Sequence, residues 1–180
     1  PDNDSLSFTT GGGNDLPFSI GSWVNFSDFN IPGNWLINKR NATSGGDEWQ
    51  FIYLNGRIVF TKFDRASNAI SQSIQSNTSL MLTNTWYYLT FTDNGSKTVA
   101  GMKIYLNGVL LTTTNASSGV YTGMPNGNAI CRLGNASWSA ATNLKHKGKI
   151  DELAIWKNRL LTQTEITQLY NLGLGTTYPF

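Results

Sequence analysis

Carboxylates are the first groups in this sequence that could do chemistry, and their placement argues against catalysis. Glycoside hydrolysis needs two carboxyl groups held close together on a rigid element. The glutamates are Glu48, Glu152 and Glu165, and no two of them share a predicted strand. The pairs Asp47-Glu48 and Asp151-Glu152 would point to opposite faces of a regular strand. Glu165 follows Thr162 at the spacing of a capping box. We therefore predict no enzymatic activity, and a glucan hydrolase is the least favoured function.

The single histidine and the single cysteine do not form a catalytic pair. His146 lies in the polar run Lys145-His146-Lys147, where nothing in the sequence orients it as a general base. We interpret this run as a solvated loop; the alternative is that it binds an anionic sugar. Cys131 lies in an apolar alternation, which is typical of a small buried hydrophobe rather than a reactive thiol. One cysteine also excludes an internal disulfide and a cysteine zinc site.

Aromatic residues beside turns could form a ligand-binding surface. Sugar rings stack on exposed aromatic rings, while polar and charged side chains bind their hydroxyls. Such residues are Trp138, Trp49, Arg40, Asp47 and Asn143, and we expect a glycan site there. The alternative is that both tryptophans only fill loop packing. Three further tryptophans lie within strand alternations and are interpreted as core: Trp23, Trp86 and Trp156.

Composition and charge exclude several classes of protein. Charged residues are 13% of the 180, against about 25% in an average protein. A net charge of +2 gives no dense basic face for nucleic acid. No apolar run is long enough to insert into a membrane. Asn, Ser, Thr and Gly are abundant, which favours strands and tight turns over long helices.

Alternating apolar residues predict a mainly β chain with one helix. Phe18, Ile20, Val24 and Phe26 share one face of an early strand, and Ser5–Thr9 alternates in the same way. The pentapeptide Ile-Tyr-Leu-Asn-Gly occurs at 52–56 and at 104–108, and Asn-Gly between apolar runs predicts two hairpins. A late strand over 149–156 would place Ile150, Glu152, Ala154 and Trp156 on one face. The capping box at Thr162 predicts a helix with an apolar stripe of Ile166, Leu169 and Tyr170, which Leu172 could extend, and with Gly173 as its cap.

Four segments in this order resemble the concanavalin A-like jelly rolls, in particular the laminin G-like and pentraxin-like domains. They are the Gly-rich turn with 17–24, the strand 85–91, the stretch 101–108 and the stretch 148–162. The resemblance implies an all-β, two-sheet antiparallel jelly-roll sandwich with one short C-terminal helix, spanning 1–180 as one domain. It also implies binding of glycans or proteins. Glucanases of this fold carry Glu-x-Asp-x-x-Glu on one strand, and that pattern is absent here.

The resemblance further implies a structural calcium ion. Calcium takes six to eight oxygen ligands and accepts carboxylates together with carbonyls of irregular chain. In similar domains a carboxylate of the early turn and an Asp of the late strand share the ion, and the matching residues here are Asp15 and Asp151. Asn14 and Gly123 are further candidate ligands. The alternative is that Asp15 caps its turn and that Asp151 bonds to backbone amides.

These observations favour a non-catalytic recognition module that binds carbohydrate, stabilised by structural calcium. We expect it on a phage tail, virion or bacterial surface protein, hence extracellular or at the virion surface. Its partner would be a glycan or a cell-surface receptor, and it could oligomerise through a parent protein. The alternative is a structural or protein-interaction domain, such as a decoration or tail-fibre module, that binds no glycan.

Overall fold

The structure is a computed structural model that describes residues 4–30, 33–40, 46–77, 81–136 and 145–176. The described residues form eleven strands and one α-helix. Short 3-10 turns lie at Asp4–Leu6, Val99–Gly101 and Asn171–Gly173. The elements are β1 Phe18–Phe26, β2 Asn34–Lys39, β3 Trp49–Leu54, β4 Arg57–Asp64, β5 Ser67–Ser76, β6 Trp86–Asp93, β7 Met102–Leu106, β8 Val109–Leu110, β9 Thr113–Asn115, β10 Cys131–Leu133, β11 Gly148–Lys157 and α1 Gln163–Tyr170.

Two antiparallel sheets stack as a sandwich, which confirms the predicted jelly-roll class. One sheet has five strands in the order β11-β1-β6-β7-β8, and the other has six in the order β10-β2-β3-β4-β5-β9. Aromatic rings join the two layers: Phe18 of β1 lies 5.9 Å from Phe60 of β4, and Phe51 of β3 lies 5.9 Å from Phe91 of β6, measured between ring centroids. No helix in the described ranges is both long and apolar enough to cross a membrane.

Two predicted hairpins form as the sequence indicates. Asn55 and Gly56 join β3 to β4 with φ of 50° and 79°, and Asn107 and Gly108 join β7 to β8 with φ of 51° and 78°. Positive φ at both central residues defines the turn that matches the twist of paired strands, and Asn and Gly adopt it at little cost.

The early segment differs from its prediction. Ser5–Thr9 alternates in sequence, yet Asp4–Leu6 forms a 3-10 turn, and among the described residues Thr9 makes only an isolated bridge with Asp15. Phe8 is nevertheless fully buried and stacks on Phe18 with ring centroids 3.9 Å apart. The apolar residue thus serves the core without a strand around it.

Helix α1 packs on the outer face of the five-stranded sheet. The Thr162 hydroxyl accepts a hydrogen bond from the Glu165 amide and the Glu165 carboxylate accepts one from the Thr162 amide, so the capping box is confirmed. Ile166 and Leu169 are buried against tyrosines of the sheet. The left-handed cap is Asn171, with φ of 46°, rather than the predicted Gly173. Asn tolerates the left-handed conformation, so the helix is capped two residues before Gly173.

Candidate functional site

Asp15 is a buried carboxylate whose oxygens already have partners. One oxygen lies 3.0 Å from Nζ of Lys62 and accepts a hydrogen bond of 2.7 Å from the Tyr121 hydroxyl. The other accepts the Met124 amide at 2.8 Å. The Asp15 side chain is 1% exposed and the Lys62 side chain 0%. An ammonium group therefore neutralises the carboxylate that was expected to bind calcium.

Lys62 also reaches a second buried acid. Its Nζ lies 2.8 Å from a carboxylate oxygen of Asp93, which is 1% exposed. Burial raises the pKa of Asp93, although the charge of Lys62 opposes that rise. Burial and the Asp15 carboxylate likewise raise the pKa of Tyr121, so its hydroxyl stays a donor. Lys62, Asp15 and Asp93 form what we call the internal ion cluster.

Backbone groups in and around the early turn, including those of Gly123, also have hydrogen-bond partners within the protein. Lys97 donates from Nζ to the Gly13 carbonyl at 3.0 Å. The Gly123 carbonyl accepts the Arg65 amide at 3.0 Å, and the Gly123 amide donates to Asp64 at 3.2 Å. The Asn14 carbonyl accepts the Thr10 amide at 3.1 Å. The backbone carbonyls of Asn14 and Gly123 therefore already accept hydrogen bonds from other backbone amides.

Asp151 lies in another part of the sandwich. It pairs with Trp23 in the register of β11 and β1, whereas Asp15 lies three residues before β1 begins at Phe18. Phe18 and Trp23 are five residues apart, which is about 16 Å along a strand. Among the described residues no group of three or more His, Cys, Asp or Glu side chains could hold a metal ion. The residues do not fit an ion shared by Asp15 and Asp151, and the calcium binding that the sequence predicts has no support from their geometry.

Three of the residues predicted to bind glycan, Arg40, Asp47 and Trp49, do not form an open surface. Trp49 is fully buried because its position in β3 faces the core. Its ring lies 5.3 Å from that of Phe8, and its Nε1 donates to the Leu6 carbonyl at 3.0 Å. Arg40 and Asp47 form an ion pair at 2.7 Å in which the Asp47 side chain is 0% exposed. Trp49 is therefore a core residue, and Asp47 offers no free oxygen to solvent. Trp138 and Asn143 lie outside the described residues.

An open cleft lies instead on the outer face of the five-stranded sheet. Its volume is about 300 Å³. Eight residues line it, and we call it the tryptophan cleft: Trp23, Trp86, Asp151, Glu152, Gly173, Leu174, Gly175 and Thr176. Trp86 is 40% exposed, and Leu174 is 85% exposed. Trp23 is half-buried between Tyr88 and Tyr170, with ring centroids 5.3 and 5.8 Å apart.

A β-bulge brings the two carboxylates of the cleft together. Gly21 pairs with Ala154 and Trp23 with Asp151, so β11 contains one residue more than β1 over this stretch. Glu152 adopts φ of 49°, which is uncommon for a residue with a side chain. Asp151 and Glu152 consequently line the same cleft, although adjacent residues of a regular strand would face apart. The bulge also overturns the predicted face of Ile150, Glu152, Ala154 and Trp156, since Ile150 packs on the core with Leu153 and Ile155.

Strand parity in the sequence could have revealed Trp23 and Trp86. Ile20 and Val24 face the core, so Trp23 between them must face outward by the period of two. Tyr87, Leu89 and Phe91 are buried in the sandwich, and Trp86 precedes them with the opposite parity. The prediction that both tryptophans belong to the core is wrong, because only one face of each strand meets the other sheet.

Comparison with known proteins agrees with this architecture. The family model Laminin_G_3, of the concanavalin A-like lectin/glucanases superfamily, matches residues 2–167. The chain belongs to this family. No curated protein matches it.

Solved structures with a similar fold include binding domains of clostridial toxins. The binding domain of Paraclostridial Mosquitocidal Protein 1 has a TM-score of 0.65 and 20% identity, over 95% of this chain and 39% of that one. The receptor binding domain of botulinum neurotoxin D has a TM-score of 0.63 and 20% identity, over 95% and 40%. The receptor binding domain of type G has a TM-score of 0.56 and 22% identity, over 89% and 39%. The chain thus spans well under half the length of these structures, and the likeness shows the fold.

Proposed function

We propose that this domain is a non-catalytic recognition module that binds carbohydrate in the tryptophan cleft. The observation that carries the proposal is the combination of exposed aromatic surface and free carboxylates in one open cleft. The Trp86 ring, 40% exposed, offers a flat apolar face to the C–H face of a sugar. Asp151 and Glu152 are exposed and can accept hydrogen bonds from sugar hydroxyls. A volume of about 300 Å³ suits a short sugar segment.

Recognition fits the cleft better than hydrolysis does. A glycoside hydrolase needs one carboxyl kept protonated by an apolar environment beside one that stays ionised. Asp151 and Glu152 are both exposed, so neither has the apolar environment that would keep one carboxyl protonated as the acid while the other stays ionised as the nucleophile. The cleft can hold a sugar but lacks the pair of contrasting carboxyls that would cleave it.

We expect the domain to perform this function at a cell surface. The structural relatives include receptor binding domains, and one structure concerns botulinum neurotoxin type C, which interacts with two ganglioside molecules. By analogy the partner would be a glycan or receptor on a cell surface. The parent would be a phage tail, virion or bacterial surface protein, which places the domain outside the cell or on the virion.

A glycan array followed by titration tests the proposal. We expect binding of a subset of glycans, and at least about tenfold weaker affinity in Trp86→Ala, because stacking and ring burial contribute more than about 1.4 kcal/mol. Leu133→Ala is the matched control, since Leu133 is 52% exposed on β10 of the other sheet. Glycans that bind Trp86→Ala and the wild type equally would refute the site.

Two other results would contradict carbohydrate recognition and favour a different function. An array without any bound glycan, together with specific capture of protein partners, would favour the structural or protein-interaction domain. Turnover of β-glucan that is lost in Glu152→Gln would favour the hydrolase.

A further inference from the structure

The tryptophan cleft carries negative charge that no described residue neutralises. Asp151 and Glu152 are exposed, and neither takes part in an ion pair within the described residues. Asp151 accepts only a hydrogen bond of 2.9 Å from the Glu152 amide. No Lys, Arg or His is among the eight lining residues. Lys149 lies two residues before Asp151 on β11 but does not line the cleft.

The bulge holds the second carboxylate close to the aromatic floor. Burial raises the pKa of Tyr88 to about 12, and the negative charge of Glu152 adds to that rise. Tyr88 packs against Trp23, which lines the cleft. The negative charge of Glu152 therefore acts on the aromatic floor of the cleft as well as at its rim.

Indole rings and carboxylates together favour a cation. A positive group over a tryptophan face is attracted by the ring, with Trp the best of the aromatic residues. The same group makes charge-assisted hydrogen bonds to carboxylates, which are stronger than bonds from neutral hydroxyls. An acidic sugar would bring a third negative charge beside Asp151 and Glu152 and would be repelled.

We propose that the sugar bound in the tryptophan cleft is an amino sugar with a free, protonated amine, held by Asp151 and Glu152 over the indole rings. This inference rests on the proposed carbohydrate-binding function and names its ligand class. Ring stacking on Trp86 serves any sugar, whereas the two carboxylates select the one that carries positive charge. Thr176 also lines the cleft, and its hydroxyl can bond to the neutral groups of the sugar.

Titration calorimetry with a matched pair of ligands tests this selectivity. The pair is an oligosaccharide of glucosamine and its fully N-acetylated counterpart, which differ only in the charge and bulk at nitrogen. We expect the amine form to bind about tenfold more tightly, the sum of two exposed ion pairs and one cation–π contact. The preference should disappear above the pKa of the sugar amine and weaken as salt rises.

Variants of the two acids assign the preference to the cleft. Asp151→Asn, Glu152→Gln and the double variant should each weaken binding of the amine form more than binding of the N-acetylated form, so that the preference for the amine form falls. Asp28→Asn is the control, because Asp28 is a carboxylate paired with Lys147 outside the cleft. Either single variant suffices if the double variant does not fold, and the thermal melt reports folding for each.

The outcomes separate this inference from the proposed function. Equal binding of both oligosaccharides, lost in Trp86→Ala, would overturn the amino-sugar selectivity and leave carbohydrate recognition standing. Absence of binding for every glycan would overturn both. Oligolysine that competes for the cleft as tightly as the glucosamine oligomer would show a cation site without sugar specificity, and would also overturn the inference.

Discussion

Replacement of Lys62 by methionine would leave two buried carboxylates without their cation. Met has a similar length and apolar volume, so Lys62→Met removes the charge with little change in packing. Asp15 and Asp93 are each 1% exposed and lie 3.0 and 2.8 Å from Nζ. Removing one member of a buried ion pair costs about 3–5 kcal/mol, because the remaining charge stays desolvated.

The upper part of that range applies here, because one cation serves two acids. The hydroxyl of Tyr121 and the amides of Met124 and Gly95 still bond to the carboxylates, which keeps the loss from growing further. In a chain of this size such a loss lowers the melting temperature by about 10 °C. Protonation of the stranded acids relieves the cost, so the difference from wild type should shrink as the pH falls.

Chemical unfolding followed by tryptophan fluorescence measures this difference. Lys103→Met is the control, since Lys103 is an exposed lysine on β7. We expect the control to change the free energy of unfolding by less than about 0.5 kcal/mol. A loss in Lys62→Met no larger than that of Lys103→Met, at any pH, would refute the view that this ammonium is a structural cation.

Three further predictions follow from other contacts. Burial raises the pKa of Glu48 from 4.5 to about 7, although Lys39 opposes the rise. The stabilisation that Glu48 contributes is therefore complete below its unfolded pKa and is lost as the pH rises through about 7, by at most about 3 kcal/mol. Glu48→Gln should remove this loss of stability with rising pH. Parallel plots of unfolding free energy against pH for wild type and variant would contradict the prediction. Thr162→Ala should cost about 1 kcal/mol by removing the helix cap, measured by thermal melts against Thr164→Ala, and equal losses in the two would argue against a special role for the cap. Since Lys62 already neutralises Asp15, melts of the wild type with calcium and with a chelator should coincide, and a calcium-dependent rise that is lost in Asp15→Ala would support the calcium prediction instead.

Local signals predicted most of the fold. Alternation in β1 identified four residues that are all fully buried: Phe18, Ile20, Val24 and Phe26. Asn-Gly identified two hairpins, and the spacing of Thr162 and Glu165 identified the helix start. Each of these depends on residues within a few positions of one another, so the sequence alone contains the information.

Features that depend on distant residues or on a change of register could not be read in the same way. Asp15 and Lys62 are 47 residues apart, and no local pattern pairs them. The extra residue at the bulge reverses which side chains of β11 face the core on one side of Glu152. A glycine in the left-handed conformation often marks such a bulge, and here the residue is a glutamate. Trp49 looks like a loop residue because it follows Asp47-Glu48, but it begins a buried strand.

The bulge in β11 also has a consequence for how copies of the domain meet. β11 is the ten-residue strand at one edge of its sheet, and edges of this length invite pairing with a second molecule. A bulge twists such an edge out of line, and charged side chains along it oppose desolvation; here they are Lys149, Asp151, Glu152 and Lys157. We therefore expect the irregularity that brings Asp151 and Glu152 into the cleft to oppose edge-to-edge aggregation of the sandwich as well.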